Sequence, residues 1–263
     1  MNCQISEASY GIKITANAVN NTVKGCNLDS NSYGLFVSGS CNQIGSGEKD
    51  GLGNDTVFAK NTYGIYFDNS NDNVVLNCSI NEDPKAGSFP SALYGICFDG
   101  SKNNTIIFCD IFNAKTIFST GYGIYFDDSD NNHIYRCFIH ENNCGVYLTS
   151  SSDNYLAVNN VSNNSVVGLS IYLPSSNNNT VNWNDFIGNG DGRGPQNSDN
   201  GVSSNWNSVN NETLYYVAGG EGNYWSDYSG SDGDGDGIGD TSYSMDKDSS
   251  DDYPVMDPYN FFN

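Results

Sequence analysis

The sequence predicts an all-β parallel solenoid, and three observations carry that prediction. A short block with Gly followed by apolar-X-apolar recurs seven times: SYGIKI, SYGLFV, TYGIYF, LYGICF, GYGIYF, NCGVYL and VVGLSI. A second block follows most of them: NTVKGCNL, NVVLNCSI, NTIIFCDI, NHIYRCFI, NYLAVNNV and NTVNWNDF. Finally, no stretch shows the 3.6-residue periodicity of an amphipathic helix, while Asn (41), Ser (33) and Gly (29) are abundant beside 18 Tyr and 13 Phe. Disordered chains lack aromatics at this density, so the chain reads as folded.

The first block is marked by Gly11, Gly34, Gly64, Gly95, Gly123, Gly145 and Gly168, at intervals of 23, 30, 31, 28, 22 and 23 residues. A shortest interval of 22 residues holding two or three short strands and turns suits stacked β-coils better than propeller blades or leucine-rich repeats. Equivalent residues then form columns. The inward columns are expected to be Ile12, Leu35, Ile65, Ile96, Ile124, Val146, Leu169 and Ile14, Val37, Phe67, Phe98, Phe126, Leu148, Ile171. Coil two departs from the pattern, with Asn42-Gln43-Ile44 and a glycine-rich insertion before Thr56.

The Asn opening each second block is expected to form a turn ladder, because Asn tolerates left-handed backbone and its amide can bond the next coil. Cys3, Cys26, Cys78, Cys109 and Cys137 share one place, which Asn159 and Asn184 take later. Stacked side chains point the same way and give a poor disulfide torsion, so a buried thiol stack is favoured over paired disulfides. No CxxC or Cys/His cluster suggests a metal there. Placing Cys3 in that column makes the chain begin in mid-coil. The expectation is either further coils and a secretion signal upstream or an edge that meets another subunit.

Past Phe186 the repeat gives way to a glycine-rich stretch from Gly188 to Gly194, and then to Trp206, Tyr215-Tyr216 and GNYWSDY, residues suited to capping the last coil. Then comes Asp232-Gly-Asp234-Gly-Asp236-Gly237-Ile238-Gly239-Asp240. Carboxylates at loop positions one, three, five and nine, Gly at six and the Ile238 carbonyl at seven describe a cation loop, and Ca²⁺ is the cofactor expected. Position twelve is Tyr243 where an acid would stand, so Asp227, Asp246, Asp248, Asp251 and Asp252 are candidates for the missing ligand. The alternative is an acidic linker that binds nothing tightly.

Two resemblances attach to these residues. The pattern GIYF, S.NN.I, C.I and N resembles the parallel β-helix repeats of the NosD type, and GNYWSDY, DGDGIGDTSY and DDYPVMDPY resemble the segments that NosD-like archaeal envelope proteins carry after their helices. The acidic loop resembles thrombospondin type 3 and dockerin calcium loops. Together these imply a right-handed single-stranded parallel β-helix of about seven to eight coils over residues 1–187. A terminal coil, cap and calcium loop (232–240) would occupy residues 188–263, in an extracellular or cell-surface module. A right-handed coil also agrees with the crossover rule. Copper, implied by that family's name, would require Met or His clusters, and the 3 Met and 2 His are scattered.

Charge narrows the function further. Ten Lys and Arg against 31 Asp and Glu, a net charge of −21, exclude nucleic acid and disfavour anionic membranes. No run approaches the ~20 apolar residues of a spanning helix. Eight N-x-S/T sequons, at Asn20, Asn54, Asn77, Asn103, Asn160, Asn163, Asn178 and Asn211, are compatible with a glycosylated surface protein, although a chain this rich in Asn and Ser generates many by chance.

Between the inward columns, Lys13, Phe36, Tyr66, Cys97, Tyr125, Tyr147 and the neighbouring Asp68, Asp99 and Asp127 must face out. Tyr66, Asp68, Asp99, Tyr125, Asp127 and Tyr147 form a candidate ligand face, walled by insertions at 45–53, 81–92 and 113–121; alternatively they are ladders that stabilise an exposed sheet. Asp99, Asp127 and Asp128 are weak catalytic candidates, since acids ~4.8 Å or twice that apart fit neither glycosidase geometry well. The expected function is therefore a non-catalytic, calcium-binding β-helix module with a structural, adhesive or assembly role. Polysaccharide or other envelope proteins are its expected partners. Alternatives are a carbohydrate-binding or carbohydrate-active β-helix using coils three to five, and a fibre subunit stacking through its first coil.

Overall fold

The computed structural model describes residues 3–46, 56–81, 93–116, 120–172, 175–192, 197–199, 222–245 and 249–260. Its strands form three long sheets in which every pairing is parallel. Sheet A runs from Cys3–Ser6 to Tyr224–Trp225 in nine strands and sheet C from Thr22–Val23 to Thr180–Asn182 in seven. Sheet B has eight strands: Tyr10–Ile14, Tyr33–Val37, Tyr63–Asp68, Leu93–Asp99, Gly121–Asp127, Cys144–Thr149, Val167–Tyr172 and Asn197–Asp199. The chain visits A, B and C in turn seven times and then adds strands to A and B, a parallel β-helix. Among the described residues no helix is long and apolar enough to cross a membrane.

Each recurring block becomes one strand of sheet B, and its expected inward columns are the observed ones. Ile65 pairs Ile96, Ile124 and then Val146, while Phe67, Phe98 and Phe126 stack at 4.7 and 4.8 Å. Sheets A and C contribute matching columns, such as Phe58-Ile80-Ile111-Ile139 and Val75-Ile106-Ile134-Leu156, all buried. Each such side chain contributes roughly 1.5–3 kcal/mol by leaving water. The recurring glycine is required by close approach: a Cβ on Gly123 would lie 2.6 Å from the Gly145 carbonyl oxygen and 2.8 Å from Asn142 Nδ2.

The corners are built from left-handed residues. Asn77, Phe108, Arg136, Val158 and Trp183 turn the chain from sheet C to sheet A with φ between 51° and 60°. Aromatic and β-branched residues resist that conformation. It is held by bonds to the next coil, such as Asn77 N–H to the Ile107 carbonyl (3.1 Å) and Trp183 N–H to the Gly222 carbonyl (2.9 Å).

The Asn ladder forms, through Asn21, Asn42, Asn73, Asn104, Asn132, Asn154 and Asn179, but the left-handed backbone expected of these residues belongs to the residue before each, Asn20, Cys41, Asp72, Asn103, Asn131, Asp153 and Asn178. At every step the backbone N–H and the side-chain Nδ2 of one Asn both donate to Oδ1 of the next, at 2.9–3.2 Å. The cysteine column is also real, with one correction: Thr56 pairs Cys78 and occupies the place between Cys26 and Cys78. All eight cysteines are free thiols. Sγ of Cys78, Cys109 and Cys137 each donates to the carbonyl two residues back, at 3.4–3.5 Å, and burial pushes the Cys137 thiol well above its usual range.

Replacing Asn104 with Ala leaves the Asn73 N–H and Nδ2 without their acceptor inside the fold. The expected loss is about 2–4 kcal/mol of unfolding free energy by chemical denaturation. A loss below about 0.5 kcal/mol would show that the ladder contributes little.

Candidate functional site

The column that starts as cysteines ends as an acid. Cys137 N–H donates to Asn159 Oδ1, Asn159 to Asn184 and Asn184 to Asn223, with bonds of 2.9–3.1 Å. Asn223 then donates its N–H (2.7 Å) and Nδ2 (3.1 Å) to Asp251 Oδ2, which also accepts Trp225 Nε1 at 2.9 Å. Asp251 is fully buried and closes the ladder. A second buried acid, Asp185, accepts the backbone N–H groups of Tyr259 and Asn260 (2.8 and 3.1 Å) and ties down the C-terminal segment. Burial raises both carboxyls above the usual range.

The acidic loop projects from this cap. Asp232 Oδ1 accepts Gly235 N–H (2.7 Å) and Asp236 N–H (3.2 Å), Oδ2 accepts Gly237 N–H (2.9 Å), and Asp236 Oδ1 accepts Ile238 N–H (2.8 Å). These bonds hold the Asp232 carboxyl below the usual range. Gly235 and Gly237, at φ +79° and +89°, supply the turn that brings carboxylate oxygens of Asp232, Asp234 and Asp236 within 4.8 Å of one another. The loop is anchored by Gly239 N–H to the Pro254 carbonyl (2.8 Å) and Met256 N–H to the Gly237 carbonyl (3.0 Å).

Asp240 is not in this triad; its Oδ2 accepts Gly233 N–H at 2.8 Å. Tyr243 stands at position twelve because its ring stacks on Trp225 at 4.2 Å, with Trp225 on Phe186 at 4.6 Å, closing the core. Of the acids considered as its substitute, Asp251 is consumed by the ladder, Asp252 accepts Ser250 Oγ (2.9 Å) and Asp227 accepts the Tyr243 hydroxyl (3.2 Å). Asp246 and Asp248 lie outside the described residues.

On sheet B, the expected outer column is the observed register: Phe36 pairs Tyr66, Tyr66 pairs Cys97, Cys97 pairs Tyr125 and Tyr125 pairs Tyr147. Asp68, Asp99 and Asp127 likewise form one column, continued by Thr149. The Tyr66 hydroxyl donates to Asp99 Oδ2 at 2.6 Å, and burial together with that bond raises its phenol. Burial, then Asp99 and Asp128, push the Asp127 carboxyl up.

The structure adds a second tyrosine ladder that the block pattern does not predict. Tyr10, Tyr33, Tyr63, Tyr94 and Tyr122 stack at 4.7–5.4 Å, and burial lifts the Tyr63 phenol to about 12. Its signal in the sequence is the residue before each glycine. Because the rings stack along the helix axis, they cover one another's faces and turn edges outward. The insertions expected to wall this face lie mostly outside the described residues. Among the sequons, Asn20, Asn103, Asn163 and Asn178 are exposed, Asn77 is buried and Asn160 half-buried, while Asn54 and Asn211 lie outside the described residues.

A family described as "Periplasmic copper-binding protein (NosD)" matches residues 45–230. The chain belongs to the NosD family. No curated protein matches this NosD chain. Among solved structures it is similar to the periplasmic alginate epimerase AlgG T265N mutant, at 18% identity and TM-score 0.42 over 76% of this chain and 49% of that one. Tailspike protein 2 from Escherichia coli O157:H7 bacteriophage CAB120 gives 15% identity and TM-score 0.39, over 76% and 37%. An alginate lyase from Paenibacillus sp. str. FPU-7 gives 14% and 0.41, over 76% and 88%. The NosD chain thus spans about half of the epimerase and little more than a third of the tailspike.

Copper, in the family's description, can be tested against the donors present. His133 lies in sheet C, whereas His140 lies in sheet A, bonds Asp110 through Nε2 (3.0 Å) and lies flat on Phe112 at 5.1 Å. Met245 and Met256 are in the cap, and the ladder thiols are spread over successive coils. Among the described residues only Asp232, Asp234 and Asp236 gather three ligand atoms, and hard carboxylate oxygens suit Ca²⁺, Mg²⁺ or Mn²⁺. Among the described residues His and Cys nowhere gather three donors for copper.

The raised carboxyls set a pH dependence. Asp127, Asp185 and Asp251 hold a proton more tightly in the fold than in the unfolded chain, so their contribution is complete below the ordinary value and is lost as pH rises through the raised one. Unfolding free energy in EDTA is therefore expected to increase as pH falls from 7 toward about 4.5, helped by relief of charge repulsion. A steady decrease over that interval would contradict the assignment.

Proposed function

We propose that this NosD-family chain is a non-catalytic, calcium-stabilised β-helix module working outside the cytoplasm, with a structural, adhesive or assembly role. The observation that carries the reading is the convergence of Asp232, Asp234 and Asp236 in a loop tied to the segment that caps the core. Three carboxylates at that separation repel, and a hard dication resolves the repulsion while bridging the loop. Ile238 at position seven and Asp240, through water, complete the proposed ligand set. The periplasmic family description supports the location. The exposed sequons Asn20, Asn103, Asn163 and Asn178 are the positions at which glycans would be carried.

A second reading, a carbohydrate-binding or carbohydrate-active helix, is favoured by one observation: burial and the neighbouring Asp99 raise the Asp127 carboxyl in a register column flanked by tyrosines. Glycan binding or turnover lost in Asp99→Ala and Asp127→Ala is its expected signature, and silence across polysaccharides would remove it.

For the metal, melting with millimolar Ca²⁺ is expected to exceed melting in EDTA by about 5–10 °C, the effect of a ligand present at ~100 times its Kd. Asp232→Ala and Asp236→Ala should abolish the difference. Equal melting temperatures for the unaltered chain in the two buffers would refute a structural Ca²⁺.

A further inference from the structure

We propose that the break in the outer aromatic column at Cys97 is a binding site for an alkylammonium group, seated between the rings of Tyr66 and Tyr125 and beside Asp99 and Asp127. This goes beyond the calcium reading and does not depend on it. Tyr66 stacks on Phe36 (5.5 Å, 11°) and Tyr125 on Tyr147 (5.5 Å, 2°), so one face of each ring is covered. Their other faces look toward the coil of Cys97, which pairs both. Two strand spacings separate the rings, so a cation midway lies ~4.8 Å from each, inside the ~6 Å range of cation–π attraction. The Cys97 thiol beneath the break is itself buried, at 5% exposure. Tyr94 walls one side, edge-on to Tyr125 at 5.3 Å.

The occupant's charge follows from the surroundings. Asp99 and Asp127 stand two residues along the strands from Cys97 and Tyr125, in register with each other, and Lys102 is engaged by Asp130 at 2.6 Å. An anionic ligand would be repelled, whereas a cation relieves the repulsion between the two acids. The protein already places an ammonium on this face. Lys13 belongs to the same column, and its Nζ sits 4.6 Å from the Tyr10 ring centroid and 5.0 Å from that of Phe36. Cys97 leaves one coil of the column without a ring, and an external ammonium can there make the contacts Lys13 makes in the first coil.

The test is calorimetric titration of the full chain with choline and with glucosamine, against 3,3-dimethylbutanol, the neutral isostere of choline, and a neutral glucan oligosaccharide. Saturable binding of an ammonium compound, at least tenfold tighter than the neutral probes, is expected; the tighter of the two identifies the source as a quaternary amine or an amino sugar. Cys97→Tyr fills the gap with the ring its column carries on both sides and should abolish binding. Asp99→Asn with Asp127→Asn, on exposed and half-buried positions, should weaken it severalfold and serves if the first variant misfolds. Absence of ammonium binding, equal affinity for the neutral probes, or affinity unchanged in either variant would overturn the proposal.

Discussion

Everything in this molecule depends on coils lying in register. Because strand pairs with strand in parallel and equivalent residues superimpose, each residue type must be its own best neighbour. Asn meets this demand unusually well: one oxygen accepts two donors from the coil before, and one amide and one backbone N–H serve the coil after. Phe, Ile and Tyr meet it by stacking. Charges do not, which is why the acids are confined to outward columns, to the loop, or to the end of a ladder where no further coil must be matched.

Much of this is legible in the sequence, since register is a one-dimensional property. The inward columns, the Asn ladder and the order of the outward face come from aligning short blocks. Coil two is harder, because Thr56 fills a cysteine place after an insertion that hides the period. The Tyr10-to-Tyr122 ladder escapes for a different reason: strand alternation does not put residues three apart on one face, yet Tyr63 and Tyr66, with Gly64 and Ile65 between them, meet edge to face at 5.1 Å.

At the C-terminus, spacing is enough to find Asp232, Asp234 and Asp236 but cannot sort the acids around them. Asp251, Asp252 and Asp227 are alike as letters. They differ only in what the fold brings to them: four hydrogen atoms of the cap for Asp251, a serine hydroxyl for Asp252 and a tyrosine hydroxyl for Asp227. Tyr243 shows the same competition from the other side, where closing the core with an aromatic ring outweighs a twelfth ligand.

The polarity of the ladder that ends on Asp251 also bears on how such a molecule changes length. Each Asn in it sends its backbone N–H and one amide hydrogen forward to the next coil and its other amide hydrogen back to a carbonyl of the coil before, and a carboxylate with no hydrogen to pass on is a full stop. A duplicated coil inserted anywhere ahead of that stop finds an acceptor waiting on one side and donors on the other, whereas one added behind it finds neither. Lengthening by internal duplication therefore leaves the terminal chemistry untouched, and the helix can grow or shrink over evolutionary time as a bead string does, with its clasp unchanged.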